Sequence, residues 1–159
     1  MRLAVLAVGR LKDGPERELC QRYAGRITDN ARALGFSGLD VIEIAESRSR
    51  RADERKLEEA AALRARRPAG MMILLDERGK NLGSEEFAGL MGRARDAGTP
   101  SLSLSIGGAD GLDPVLRSEA DLVLGFGALT LPHQLVRVLA LEQIYRALTI
   151  LSGHPYHRA

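Results

Sequence analysis

The sequence joins a short apolar run to a glycine-rich turn at Leu102-Ser103-Leu104-Ser105-Ile106-Gly107-Gly108-Ala109-Asp110-Gly111. Similar apolar runs lie at residues 71–75 and 122–124, and two more occupy residues 2–9 and 39–44. Strands that alternate with helices at this spacing predict an α/β fold whose parallel sheet is covered on both faces. Ligands bind beyond the carboxyl ends of such strands, so the loops that follow them are the predicted site.

Helix starts are predicted from residues that favour the first turn. Asp13-Gly14-Pro15 combines a capping aspartate with a proline at the first turn, and Asp113-Pro114 repeats the pattern. Ser84 is expected to cap another helix, whose first turn is acidic. Apolar spacing predicts two further helices, over residues 53–67 and 134–151.

Length and composition indicate one folded domain, residues 1–159. The chain is 45% hydrophobic and 28% charged, and a chain of this length buries a sizeable core without disulfides or metal. The apolar N-terminus reaches Arg10 and Lys12 too early for a membrane span and lacks a signal-peptide pattern. We therefore expect a buried strand there and a cytoplasmic protein with no membrane partner. The single cysteine, Cys20, is expected to be a packing residue.

The basic residues are mostly arginines, and several lie close together. Net charge is only +2, but just three of the 23 basic residues are lysines. Arginine suits bidentate contacts to phosphate. The segment from Arg48 to Arg51 and the arginines that follow it therefore have two interpretations, an RNA contact or a solvated helix face. The segment from residue 64 to residue 67 has the same two interpretations.

The loops predicted to meet at the carboxyl edge are residues 76–80, 107–111 and 125–131. Two of them are rich in glycine, which lets backbone amides and carbonyls approach a ligand closely. Such backbone groups, between apolar side chains, suit a flat adenine better than a triphosphate. A purely structural tight turn remains the alternative for residues 107–111.

Other ligand classes fit the sequence poorly. Residues 9–14 have the glycine spacing of a Walker loop but continue into Pro15-Glu16, and no G-x-G-x-x-G follows the first strand. His154 and His157 lie three apart without a cysteine pair, so we expect no metal. A G-x-S-x-G elbow, the mark of many hydrolases, is also missing from the sequence.

The last residues of the sequence are unusually rich in aromatic and basic groups. They read His154-Pro155-Tyr156-His157-Arg158, after an apolar helix that is headed by Ala128-Leu129-Thr130-Leu131-Pro132-His133. Because terminal residues are commonly frayed and idle, this composition predicts a tail that docks against another surface.

Together these motifs resemble one known family. Ile106-Gly107-Gly108-x-x-Gly111-Leu112, Ala128-Leu129-Thr130-Leu131-Pro132-His133, Glu142-Gln143-x-Tyr145-Arg146-Ala147 and the closing pentapeptide are similar to the ribosomal RNA methyltransferase H family of the SPOUT class. The resemblance covers essentially the whole chain and includes Val8-Gly9 and Leu75-Asp76 with Gly79-Lys80.

The resemblance implies a SPOUT-type α/β fold with a C-terminal deep trefoil knot, over about residues 70–151, followed by a tail at residues 152–159. It implies a homodimer, S-adenosylmethionine as methyl donor, and methylation of N3 of a pseudouridine in 23S large-subunit rRNA on the assembled 70S ribosome. The cofactor residues that it implies are Leu75, Gly108, Phe126, Gly127, Ala128, Leu129, Thr130 and Leu131. Gly125-Phe126-Gly127 departs from the Ser-Leu-Ser-like stretch common in relatives, so no side-chain hydroxyl contact is expected there.

Five residues are candidates for removing the N3 proton or for stabilising the resulting anion: His133, His154, His157, Arg137 and Arg158. Our hypothesis is that the tail reaches the partner subunit's cofactor pocket, where Tyr156 stacks, Arg158 meets phosphate or base, and His157 lies near the reacting imide. The alternative is that His133 only caps the last helix and that Arg137 forms an ion pair with Glu142 or a partner's acid. At the level of function, a non-catalytic ribosome- or RNA-binding module and a knotted tRNA methyltransferase remain alternatives.

Overall fold

The computed structural model describes residues 1–158 as five strands and five helices in alternation. In chain order these are β1 (Arg2–Val8), α1 (Pro15–Ala31), β2 (Leu39–Ile44), α2 (Ala52–Arg66), β3 (Met71–Asn81), α3 (Ser84–Asp96), β4 (Ser101–Ile106), α4 (Pro114–Glu119), β5 (Leu122–Gly125) and α5 (His133–Leu151). A 3₁₀ turn, Arg32–Leu34, follows α1.

The strands form one parallel sheet in the order β2-β1-β4-β3-β5. Helices α1, α3 and α5 pack on one face, and α2 and α4 pack on the other. Successive β1 side chains serve the two faces: Val5 joins the first core, and Leu6 joins the second. The predicted α/β architecture with a doubly covered parallel sheet is confirmed.

The main departure from prediction is the length of β3. Residues 76–80 were expected to be a loop, but β3 continues to Asn81 and pairs with β5 a second time, after a shift of register. Leu124 thus lies opposite both Leu75 and Lys80. The two backbones come so close that a Cβ on Gly79 would lie 2.4 Å from the carbonyl carbon of Leu124.

Two predicted helix caps are wrong. The N-cap residues of α1 and α3 are Gly14 and Gly83. The side chains of Asp13 and Ser84, which were expected to cap these helices, form hydrogen bonds with other side chains. Asp13 accepts from Arg17 at 2.7 Å, and the Ser84 hydroxyl donates to Gln143 at 3.0 Å. The Asp113 cap is confirmed, because its carboxylate accepts from the Val115 amide at 2.8 Å.

Within residues 1–158, none of the helices combines the length and the apolar character that crossing a membrane requires.

Candidate active site

The middle of β3 and the carboxyl ends of β4 and β5 open into a cleft of about 750 Å³. This volume is typical of small-molecule and cofactor sites. Seven of the eight residues expected to bind the cofactor line its wall: Leu75, Gly108, Phe126, Gly127, Leu129, Thr130 and Leu131. Ala128 belongs to the same segment but is not part of the wall, whereas His133 is.

The glycine turn forms one wall of the cleft. The Gly111 amide donates to the Gly108 carbonyl at 3.0 Å, and Gly111 has a φ of +80°. A Cβ on Gly107 would lie 2.8 Å from the Gly111 carbonyl carbon, so this turn closes only without a side chain there. A Cβ on Gly108 would instead point at Val8 and Glu59, which do not line the cleft.

The segment after β5 forms the opposite wall and is tied to the second half of β3. The Gly127 amide donates to Asn81 Oδ1 at 3.1 Å, and the Thr130 hydroxyl donates to Glu77 Oε2 at 2.7 Å. The side chain of Leu129 is 80% exposed at the rim. The extension of β3 that sequence reasoning missed is therefore what holds this wall in place.

Sequence reasoning also missed an ion pair in the cleft. Arg117 of α4 donates to Asp76 Oδ2, and the Asp76 side chain is only 8% exposed. The Arg78 amide donates to the other Asp76 oxygen at 3.0 Å. A charged residue directly after a buried strand was the available signal, but its partner lies 41 positions away.

Glu59 of α2 is a buried carboxyl directly behind the glycine turn. It is 6% exposed and accepts from the Ser47 amide at 3.0 Å. Burial raises its pKa, and the nearby carboxylates of Asp110 and Glu46 add to that effect.

Among residues 1–158, no group of three or more histidine, cysteine, aspartate or glutamate side chains is placed to hold a metal ion.

The closing residues dock on their own chain, against the second half of α5. The Tyr156 ring meets the Tyr145 ring edge-on, with centroids 4.8 Å apart, and its hydroxyl donates to Glu142 Oε1 at 3.1 Å. Burial, the Tyr23 hydroxyl and the Glu142 carboxylate raise the pKa of Tyr156. His157 Nδ1 lies 3.4 Å from Arg146 Nη1, while Arg158 is exposed.

The tail and the cleft lie against different parts of α5. His133 begins this 19-residue helix at the cleft, whereas the tail contacts Glu142, Tyr145 and Arg146, which lie about 14–20 Å further along the helix axis at 1.5 Å per residue. His154, Tyr156, His157 and Arg158 are therefore not brought together with the cleft of their own chain.

Arg137 lies neither in the cleft nor against Glu142. Its side chain is buried, and it donates to Glu43 Oε1 at 2.8 Å and to the Gly9 carbonyl at 2.9 Å. The alternative that paired Arg137 with Glu142 is wrong, because Glu142 is paired with Arg146 at 2.6 Å. Arg137 borders a second cavity, of about 540 Å³, between α1 and α5.

A parallel sheet with a glycine-lined cleft at its carboxyl edge is the arrangement in which many α/β proteins bind cofactors. The sequence model described as "Predicted SPOUT methyltransferase" matches residues 1–157. The chain therefore belongs to the SPOUT methyltransferase family, as the motif resemblance predicted.

Relatives along the full chain carry a more specific name. The chain is 61% identical to "Ribosomal RNA large subunit methyltransferase H" of Rhodopseudomonas palustris, covering 100% of both chains. It is 59% identical to the protein of the same name from Nitrobacter hamburgensis, over 99% of each. Among solved structures, a probable methyltransferase from Bordetella pertussis is 17% identical with a TM-score of 0.50, covering 92% of this chain and 95% of that one, and supports the fold.

Proposed function

We propose that this protein is an S-adenosylmethionine-dependent methyltransferase that modifies N3 of a pseudouridine in large-subunit rRNA, on the assembled ribosome in the cytoplasm. The observation that carries the proposal is the cleft, whose walls are the glycine turn and the segment at residues 126–131. The full-length identity to proteins named for this rRNA methyltransferase supports the choice of substrate.

The cleft fits the proposed cofactor in size and in chemistry. Apolar side chains such as Leu75 and Leu131 flank the backbone of two glycine-containing segments, an arrangement that suits adenine. Gly108 and Gly127 would present backbone groups to the ring, and Phe126, Ala128, Leu129 and Thr130 complete the segment. When bound, S-adenosylmethionine supplies an activated methyl group.

The chain itself must orient the uridine base, exclude water and accept the N3 proton. His133 lies at the cleft of the same chain, and His154 and His157 belong to the tail. We assign the proton to His157 of a partner's tail and the contact to phosphate or base to the exposed Arg158. Tyr156, packed on Tyr145, would orient these two neighbours. Arg137 is hydrogen-bonded to the Gly9 carbonyl directly after β1, so we assign it no role in methyl transfer.

The homodimer is part of the proposal because a single chain keeps its tail on the second half of α5, about 14–20 Å along the helix axis from its own cleft. The cavity between α1 and α5, lined by Leu11, Ala24 and Leu141 among others, supports this face as the contact with a second copy. We also propose that residues 1–159 form a single domain and that residues 70–151 form a trefoil knot. The double pairing of β3 with β5, and the ties from β3 to residues 127 and 130, support the knot.

Transfer of a labelled methyl group tests the function directly. Purified protein would be incubated with labelled S-adenosylmethionine and either ribosomes, naked large-subunit rRNA or tRNA, and digested nucleosides would be identified by mass spectrometry. We expect 3-methylpseudouridine from ribosomes and little from naked rRNA. Methylated tRNA would favour the tRNA enzyme, and ribosome binding without methyl transfer would favour a non-catalytic module.

A further inference from the structure

We call the loop between β2 and α2, residues 45–51, the basic loop. It carries several arginines, and its serines are hydrogen-bonded to side chains of α2. Exposure alternates along it, so that Ser47 and Ser49 are half-buried and Arg48 and Arg50 are exposed. Both serine hydroxyls donate to the Glu58 carboxylate of α2, and the Ser47 amide donates to Glu59. The serines thus hold the loop, and the arginines face outward.

The exposed side chains of Arg48 and Arg50 are available to bind a ligand. Arg51 pairs with Asp53 and Glu54, but among residues 1–158 no carboxylate lies within ion-pair distance of Arg48 or Arg50. Exposed arginines without protein carboxylates suit phosphate oxygens.

Arg55 joins this loop to the cofactor cleft. Its Nη1 donates to the carbonyls of Ser49 and Arg50, each at 3.0 Å. Its Nε and Nη2 donate to the two Asp110 oxygens, at 2.6 and 3.0 Å. Asp110 belongs to the glycine turn and lines the cleft, so one guanidinium holds both elements.

The ion pair is a planar, bidentate contact that is partly shielded from solvent. The side chains are 27% and 28% exposed, and their hydrogen bonds raise the pKa of Arg55 and lower the pKa of Asp110. A lysine could not make the fork and reach two carbonyls at once. The Arg55 guanidinium therefore links the glycine turn directly to the backbone of the basic loop.

We propose that the basic loop binds substrate RNA through phosphate contacts from Arg48 and Arg50, and that Arg55 is a positioning residue that couples this contact to the cofactor cleft. The inference rests on the proposed function. Because linkage is reciprocal, cofactor in the cleft and RNA on the loop each strengthen binding of the other.

The test measures the dissociation constant for ribosomes with and without saturating S-adenosylhomocysteine. We expect the wild type to bind ribosomes at least about fivefold more tightly when the cleft is filled. Arg55→Gln and Asp110→Asn should each bring this ratio close to one, and the double variant should lower it no further. Arg55→Lys should not restore it.

The chain offers a matched control in Arg64, which makes a similar fork to Glu119, at 3.0 and 2.8 Å, away from the cleft. Arg64→Gln should keep the wild-type ratio. Arg48→Gln with Arg50→Gln should keep the affinity for S-adenosylhomocysteine alone, weaken ribosome binding, and reduce the salt dependence of log K by roughly 1.5 for two lost phosphate contacts.

The outcomes separate this inference from the proposed function. A wild type that methylates rRNA while Arg55→Gln keeps the full ratio overturns the coupling alone. Unchanged ribosome affinity and salt dependence in the Arg48 and Arg50 variant overturns the phosphate contact. A wild type without methyl transfer to rRNA overturns both. Circular dichroism of each variant excludes misfolding as the cause of a loss.

Discussion

Arg137 shows how one buried side chain can support the carboxyl end of a strand. It donates to the carbonyls of Gly9 and Val8 and pairs with Glu43, which also accepts from the Leu11 amide. Its Nε has no hydrogen-bond partner in the described structure. Arg137 therefore stabilises the turn after β1, and its replacement should lower the free energy of unfolding.

Arg137→Met should lower the free energy of unfolding by about 3 kcal/mol, because it leaves buried carbonyls without donors. Urea denaturation measures this change. Arg66→Met, at an exposed position on α2, should stay within about 0.5 kcal/mol. A stable Arg137→Met protein that binds cofactor but has no turnover would contradict this structural role and return Arg137 to the catalytic candidates.

Glu59 predicts a pH dependence of stability. Burial raises the folded-state pKa of Glu59 above its ordinary value of 4.5. The stabilisation that protonated Glu59 gives the folded state is therefore fully present below pH 4.5 and is lost as pH rises through the folded-state pKa. Glu59→Gln should thus be at least as stable as the wild type at pH 7.5. As pH falls toward 5, the free energy of unfolding of the wild type should rise relative to that of the variant.

Glu58→Gln is the matched control for Glu59→Gln, with the opposite sign. Hydrogen bonds from Ser47 and Ser49 lower the pKa of Glu58, so the wild type should lose stability relative to this variant as pH falls. Urea unfolding at several pH values measures both differences. A Glu59→Gln difference that does not change with pH would refute the assignment.

At the level of elements, the close passage of β3 and β5 is the most demanding feature. Gly79→Ala would place a Cβ 2.4 Å from the Leu124 carbonyl carbon and 2.6 Å from the Gly125 amide nitrogen. Since both neighbours are backbone, we expect a loss of roughly 1–3 kcal/mol. Cofactor affinity should also fall, because residues 127 and 130 depend on this part of β3.

Thermal unfolding and calorimetry with S-adenosylhomocysteine measure the two effects of Gly79→Ala. Gly25→Ala is the control, since it lies exposed in α1 with open space around its Cβ and should stabilise the helix by about 0.5–1 kcal/mol. Normal cofactor affinity in Gly79→Ala would show that the second pairing of β3 does not hold the cleft wall.

The same elements show what the sequence could and could not predict. Strands such as residues 102–106 were predictable because apolar runs between helices leave few alternatives. The second half of β3 was not, because residues 76–81 are polar and pair only through the close approach at Gly79. Cleft residues on strand ends followed from parallel topology, whereas the ion pairs Arg55–Asp110 and Arg137–Glu43 join positions 55 and 94 residues apart and have no local pattern.

At the level of the whole molecule, the distance between tail and cleft predicts complementation between subunits. Deleting residues 154–159 should abolish methyl transfer but leave cofactor binding measurable by calorimetry. Gly107→Val should distort the glycine turn and abolish cofactor binding. An equal mixture of the two, refolded together, should regain about a quarter of wild-type activity, since half of the dimers then hold one complete site.

Two results would contradict this arrangement. Full activity of the truncated chain would remove the tail from the reaction, and a mixture that stays inactive would argue against a site shared between subunits. Each variant alone serves as the control for the mixture.

The position of β1 between β2 and β4 also bears on how the chain reaches its native state during synthesis. One side of β1 pairs with β2, but the other pairs with Ser101–Ile106, and α1 packs on α5 through a shared core. β1 therefore leaves the ribosomal tunnel well before its second neighbour exists, because synthesis must first reach Ile106. High contact order of this kind slows folding, so newly made chains should spend an extended period with apolar strand edges open to chaperones.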